Sequence, residues 1–241
     1  MRKVIILGIF IFTSLSFFVT SNSKTTSYKV EKSSIKIEQA KDFKKSKNKK
    51  KIFIETLIPI INEIENGIQK EKVTVKILLA KKINNKKINE KEEKFLDEML
   101  KKYKVKNAKL ETLISKMVVP PKSFILGQAA FESGWGRSKL AGEANNLFGM
   151  RSFTKDSTKS VKVGKNQYYK RYKNIQDSVE EYILTLARHT SYSDLRKAIG
   201  EGKDSVKLIK YLANYSEVKN IYAKRLKTII INNNLTKYDK K

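Results

Sequence analysis

Residues 120–140, PPKSFILGQAAFESGWGRSKL, constrain this chain more than any other stretch. They read as one apolar helix with firm punctuation at both ends. The pair Pro120-Pro121 starts it, Lys122 and Ser123 fall in its first turn, and Ser133-Gly134 stops it just after Glu132. Glu132 directly follows Ala129, Ala130 and Phe131. A structural helix keeps its carboxylates on a wet face. A carboxyl held among apolar groups instead has its charged form disfavoured, which raises its pKa and makes it a proton donor. The plainer alternative for Glu132 is a capping or salt-bridged glutamate at a helix end.

Helical spacing recurs on both sides of this segment. KIFIETLIPIINEIENGIQK places Ile54, Leu57, Ile58, Ile61, Ile64 and Ile68 on one face, with Pro59 opening the helix or kinking it. VTVKILLAKKI (73–83) suits strand or helix, and its helical neighbours favour helix. Phe95, Leu96, Met99, Leu100 and Tyr103 form another amphipathic face, and Leu110, Leu113, Ile114 and Met117 a third. Past Trp135, the only tryptophan, a short helix around RSKLA leads to GEANNLFGM, whose paired Asn145 and Asn146 and following Gly149 suit a tight, irregular backbone. Residues 151–172 read as a polar hairpin: Val161 and Val163 alternate with lysines, GKN turns the chain and QYYKRY returns it. Helices resume with NIQDSVEEYILTLARH, capped by Asn174, in which Val179, Tyr182, Ile183, Leu186 and Ala187 share a face. DSVKLIKYLANY and EVKNIYAKRLKTIII, the latter opened by Ser216, read as two more.

The N-terminus speaks to location. Two basic residues, an uncharged run from Val4 to Val19 and then small polar residues have the layout of an export signal over residues 1–23. Cleavage after Ser21 or Ser23 fits the small-residue rule, and an uncleaved membrane anchor through residues 4–19 is the competing reading. With no cysteine there is neither a lipid-modified cysteine nor a disulfide. Residues 24–50 carry ten lysines against three acids and little apolar periodicity, which is the composition of a flexible tether. A formal charge of +28 predicts attraction to an anionic partner, and export makes anionic envelope polymers a better candidate than nucleic acid.

The segment PPKSFILGQAAFESGWGRSKLAGEANNLFG resembles the signature of the bacterial glucosaminidase domain of glycoside hydrolase family 73, as Q-A-A-x-E-S-G-W-G followed by N-N-L-F-G. SVEEYILTLARHTSYSDLR and LANYSEVKNIYAKRLKTIIINNNL are similar to the matching segments of the Bax-like branch of that family, and KKIFIETLIPIINEIENGI to its N-terminal extension. The resemblance covers roughly residues 51–236. It implies a mainly α, lysozyme-like α+β domain over 111–236 with a small β-hairpin lobe over a substrate groove, a helical extension over 51–110, and a basic tail over 237–241. It also implies hydrolysis of the β-1,4 bond after N-acetylglucosamine in peptidoglycan glycan strands, without a cofactor and by a monomer. The family's catalytic acid falls on Glu132 and its cross-groove tyrosine on Tyr215, while Trp135, Asn145, Asn146, Phe148 and Tyr222 are the expected substrate-binding residues.

Several points stay open from sequence. Trp135 reads as core packing against the catalytic helix or as a sugar-stacking ring, and Asn145 and Asn146 as turn-formers that also shape the groove. Many family members place a second carboxylate in the hairpin lobe, but between Arg151 and Lys173 the only acid here is Asp156, with Glu143 the other nearby candidate. His189, the sole histidine, is read as structural; no paired-histidine zinc motif, cysteine nucleophile or phosphate-cradling glycine loop is present. The alternative function is a wall-glycan-binding protein with weak or no turnover. A nucleic-acid binder would also suit the charge and the eleven tyrosines, but the export signal and the lack of a basic-aromatic module speak against it.

Overall fold

The computed structural model describes residues 48–212 and 219–239. The export signal, nearly all of the tether and Tyr215 lie outside them. α1 (Lys49–Ile83) is a single 35-residue helix that carries Pro59 in its interior and takes in the ambiguous 73–83 segment as its last turns. Of the expected face Ile54, Leu57, Ile61, Ile64 and Ile68 are buried and Ile58 is half-buried, while Phe53, Thr56 and Ile60 are buried beside them. α2 (Glu90–Lys102) opens with a capping box between Asn89 and Glu92; three acids in its first turn and two lysines in its last complement the helix dipole. α3 (Leu110–Lys116) follows.

α4 (Lys122–Ser133) sits at the centre, because every residue from Ser123 to Ala130 is buried. A helix apolar all round has no wet face and must be covered on all sides. Here α1, α8 (Ser205–Leu208), α9 (Lys219–Asn232) and a 3-10 turn at Leu235–Tyr238 cover it. Contact with α9 is close: a Cβ added to Gly127 would lie 2.7 Å from Ile230 Cγ1. Pro121 offers α4 no side-chain cap. Asp239 supplies one from the far end of the chain, accepting from the Ser123 backbone N–H at 2.8 Å and from its hydroxyl at 2.5 Å. The segment read from sequence as a tail therefore reaches back through Asp239 to the start of the central helix.

α5 (Lys139–Ala144) precedes the hairpin of β1 (Ser160–Val163) and β2 (Gln167–Lys170), antiparallel in the register Ser160 to Lys170 and Val163 to Gln167. Gly164, at φ +69°, begins the turn. α6 (Ile175–Arg188) starts where expected, with the Asn174 side chain accepting from the Asp177 N–H at 2.8 Å. α7 (Ser193–Gly200) is an element the sequence reading leaves unassigned. DSVKLIKYLANY is shorter than a full helix: α8 passes at Ile209 into a 3-10 turn that ends at Leu212. One hydrophobic cluster runs from Phe53 to Leu235, so the helices read as an extension share their core with the rest. No described helix is long and apolar enough to cross a membrane.

Candidate active site

Glu132 stands in the last turn of α4, where the chain breaks sharply. Gly134, Trp135 and Gly136 all have positive φ, at 58°, 61° and 76°. Two of the three are glycines, which adopt this region without steric cost, whereas Trp135 must be held there. Ser133 braces the turn by donating to the Ala129 carbonyl at 2.6 Å and accepting from the Gly136 N–H at 2.7 Å. The Trp135 N–H reaches the Ala130 carbonyl at 3.0 Å. Its ring meets Phe53 of α1 edge-on at 5.6 Å, with the Lys50 ammonium 5.0 Å from its centroid. Of the two sequence readings of Trp135, these contacts are those of packing.

Around the carboxyl, three helices converge. Tyr222 of α9 is 5% exposed, hydrogen-bonds Glu132 and packs edge-on against Phe131 at 4.9 Å. Gln128 lies one turn before Glu132 and is fully buried. Its amide N–H donates to the Tyr222 hydroxyl, and its carbonyl accepts from the hydroxyl of Tyr182 on α6. Tyr182 stacks flat on Phe148 at 4.0 Å and 5° between planes. Both ends of the buried amide are thus satisfied, as burial requires. Burial pushes the Glu132 carboxyl above the ordinary glutamate range, against a smaller downward pull from the Tyr222 hydroxyl. Burial, and secondarily the Glu132 charge, pushes the Tyr222 phenol up, so it stays protonated and able to donate.

The N-N-L-F-G turn closes the other side. Asn145, at φ +51°, ends α5, and its side-chain amide donates to the carbonyls of Tyr172 at 3.1 Å and Lys173 at 3.3 Å. Asn146 is 1% exposed; it accepts from the Met150 N–H and donates to the carbonyls of Met150 and Lys170, each at 2.9 Å. It therefore fastens the turn to the hairpin. Gly149, at φ +64°, comes against the acid: a Cβ there would lie 3.8 Å from Glu132 Oε2. Asn146 and Phe148, expected from sequence at the substrate, have their side chains turned into the protein. The polar atoms of Asn146 are taken up by backbone, and the Phe148 ring is 2% exposed beneath Tyr182. Tyr222 is likewise buried, and its polar contacts include Gln128 and Glu132.

The candidate second carboxylates have different surroundings. Glu143 of α5 is about half exposed on its side chain and pairs with Lys139 at 3.9 Å. Asp156, exposed on the hairpin lobe, accepts from the Thr158 hydroxyl at 2.6 Å and its N–H at 2.9 Å. These bonds, the hydroxyl first, hold its carboxyl below the ordinary aspartate range. His189 accepts from the Ser191 N–H at 3.2 Å through Nδ1, a turn-forming contact. Among the described residues no group of three or more His, Cys, Asp or Glu side chains converges as a metal site would. Gln128 and Tyr182 are site residues that sequence reasoning missed. The available signal was Gln128 itself, a polar residue four positions before Glu132 and so on the same face of an apolar helix.

The sequence matches the glucosaminidase family, described as mannosyl-glycoprotein endo-beta-N-acetylglucosaminidase, over residues 107–235, just over half of the chain. It is similar to the Protein bax of Escherichia coli, with 33% identity over 62% of this chain and 55% of that protein. It is similar also to the exo-glucosaminidase LytG of Bacillus subtilis, with 28% identity over 54% of this chain and 49% of that protein. The chain thus spans about half the length of these curated relatives. Among solved structures, the catalytic domain of the autolysin Auto from Listeria monocytogenes aligns at 23% identity and a TM-score of 0.40, over 75% of this chain and 88% of that one.

Proposed function

Because the chain belongs to the glucosaminidase family, we propose that it is an exported glycoside hydrolase that cleaves, within glycan strands of peptidoglycan, the β-1,4 bond after N-acetylglucosamine, with Glu132 as general acid. One observation carries this reading: the Glu132 carboxyl is part-exposed at the end of a buried helix, under a tyrosine hydroxyl and beside a residue with no side chain. Burial raises its affinity for a proton, as a proton donor requires, and the absence of a side chain at Gly149 leaves room for a leaving oxygen to approach. The basic charge of the chain would concentrate it on an acidic wall polymer.

Cleavage also needs a group that attacks the anomeric carbon or activates water. Asp156 is a poor base, since its hydrogen bonds stabilise the ionised form and lower its proton affinity. The substrate carries its own nucleophile: the 2-acetamido oxygen of N-acetylglucosamine can attack the anomeric carbon as Glu132 protonates the leaving oxygen. Water then opens the resulting ring with Glu132 acting as base. In this scheme Tyr215 stabilises the developing charge or orients the acetamido group.

The test is digestion of insoluble peptidoglycan with mass spectrometry of the fragments. N-acetylglucosamine at the new reducing ends is the expected result. N-acetylmuramic acid there would make the protein a muramidase, and binding without fragments would make it a glycan-binding protein.

A further inference from the structure

The outer face of α1 changes character in its second half. Val73 and Ile77 are each 55% exposed and Ile83 69%, on the side of the helix turned away from the buried Ile64, Ile68 and Val75. At 3.6 residues per turn the three share about a third of the helix circumference. Single exposed apolar residues are ordinary, but a cluster on one face marks a contact surface. Lys70 and Lys76, both exposed, flank it. From Gln69 to Lys87 the sequence holds seven lysines and one acid, Glu71, which Lys102 takes up at 2.7 Å. Among the described residues only Lys81 of these seven has an ion pair, with Glu92 of α2. The excess charge is felt locally: after burial, Lys76 adds to holding the Lys72 ammonium below the ordinary lysine range. The neighbouring helix α2, EKEEKFLDEMLKK, mixes both signs instead.

We infer that this face of α1 rests on the surface of an anionic lipid bilayer, with Val73, Ile77 and Ile83 among the headgroups and the flanking lysines on lipid phosphates. Apolar residues rimmed by lysine are the composition of helices that lie in a membrane interface, and no described helix is fit to cross one. Other occupants fit less well. A two-fold contact with a second copy would set Lys70 and Lys76 against their own counterparts. Wall glycan would meet the lysines but offers no apolar phase to the three side chains. The run from Val4 to Val19, whether export signal or anchor, brings the chain to a membrane in either reading. Such docking would hold the hydrolase to the strip of wall beside the bilayer. It goes beyond the reading of Glu132 as general acid and stands without it.

The chain has no cysteine, so one introduced thiol can carry a dye that reports on this face alone. A nitrobenzoxadiazole fluorophore is placed on Ile77→Cys of the full chain and, in a second protein, on Lys139→Cys of α5, whose side chain is 80% exposed. Each is mixed with vesicles of phosphatidylcholine alone or of an equal mixture with phosphatidylglycerol. The N-terminal run can hold the chain to a vesicle by itself, so the readout is the surroundings of the dye rather than binding. On anionic vesicles the dye at 77 should brighten and shift to shorter wavelength, and on neutral ones it should not; the dye at 139 should stay water-like on both. Adding Lys70→Gln and Lys76→Gln should lower the docked-to-undocked ratio by roughly 30-fold, the effect of two lysines at a charged membrane. Adding Val73→Gln and Ile83→Gln should lower it by roughly tenfold or more. A dye at 77 that stays water-like on anionic vesicles, or responds equally on neutral ones or without the two lysines, would overturn the inference. So would a response without lipid that grows with protein concentration, which would make the face a contact between copies of this chain.

Discussion

The end of α4 and the hairpin lobe each carry a candidate carboxyl, and they treat it in opposite ways. Glu132 lies in a setting assembled from three helices and a turn, with a buried amide and two buried tyrosines behind it. Asp156 lies on an exposed loop, where Thr158 and Lys159 hold it as a charged turn-former. Burial raises the proton affinity of the first, and hydrogen bonding lowers that of the second. The lesson is that this fold invests its core in one acid and provides no comparable setting for a base on the hairpin.

The contrast breaks most severely at Glu132. Glu132→Gln keeps shape and hydrogen-bonding capacity and removes the proton, so turnover on peptidoglycan should fall by roughly 100-fold to 10,000-fold with the circular dichroism spectrum unchanged. Retention of activity within a few-fold would place the acid elsewhere.

The rigidity of the α4 side can be probed away from the chemistry. Gly127→Ala drives a methyl group against Ile230, and this overpacking should cost about 1–3 kcal/mol in chemical denaturation. An unchanged midpoint would mean that α4 and α9 have slack between them.

On the hairpin side the expected effects are small. Asp156→Asn and Glu143→Gln should each keep at least roughly a tenth of wild-type kcat/KM, since neither is asked to activate water. Near-complete loss in either would identify the missing base.

Smallest is a stability effect at the acid itself. A carboxyl whose folded pKa lies above its unfolded value binds more protons when folded, so stability falls as pH rises from the unfolded value through the folded one. Glu132→Gln escapes this cost. It should melt somewhat above wild type at pH 7 and level with it at a pH below the ordinary glutamate range. A lower melting temperature at neutral pH would mean that the ionised carboxylate is a net stabiliser.

Much of this arrangement was legible from local pattern. The end of α4 after Glu132, the hairpin with its GKN turn and the Asn174 cap all rest on neighbours within a few residues, which sequence displays directly. What stayed hidden is long-range. Gln128 finds Tyr182 and Tyr222 at separations of 54 and 94 residues, and Ser123 finds Asp239 at 116. Tyr182 counted simply as part of an apolar face, because periodicity records the ring and not where its hydroxyl points. The resemblance puts Phe148 and Asn146 at the groove, whereas here Asn146 is tied to Met150 and Lys170 and Phe148 stacks on Tyr182. Pro59 leaves two readings, a helix start or a kink; the start is set aside because α1 begins at Lys49 and holds Pro59 in its interior.

The central claim is that one protein carboxyl suffices because the substrate supplies the nucleophile. Nuclear magnetic resonance of the sugar released in the first turnovers, read before mutarotation, tests it most directly. Two successive displacements at the anomeric carbon return the starting configuration, so the account predicts the β anomer. An α anomer would mean a single displacement by water, and with it a second carboxylate in this protein acting as base.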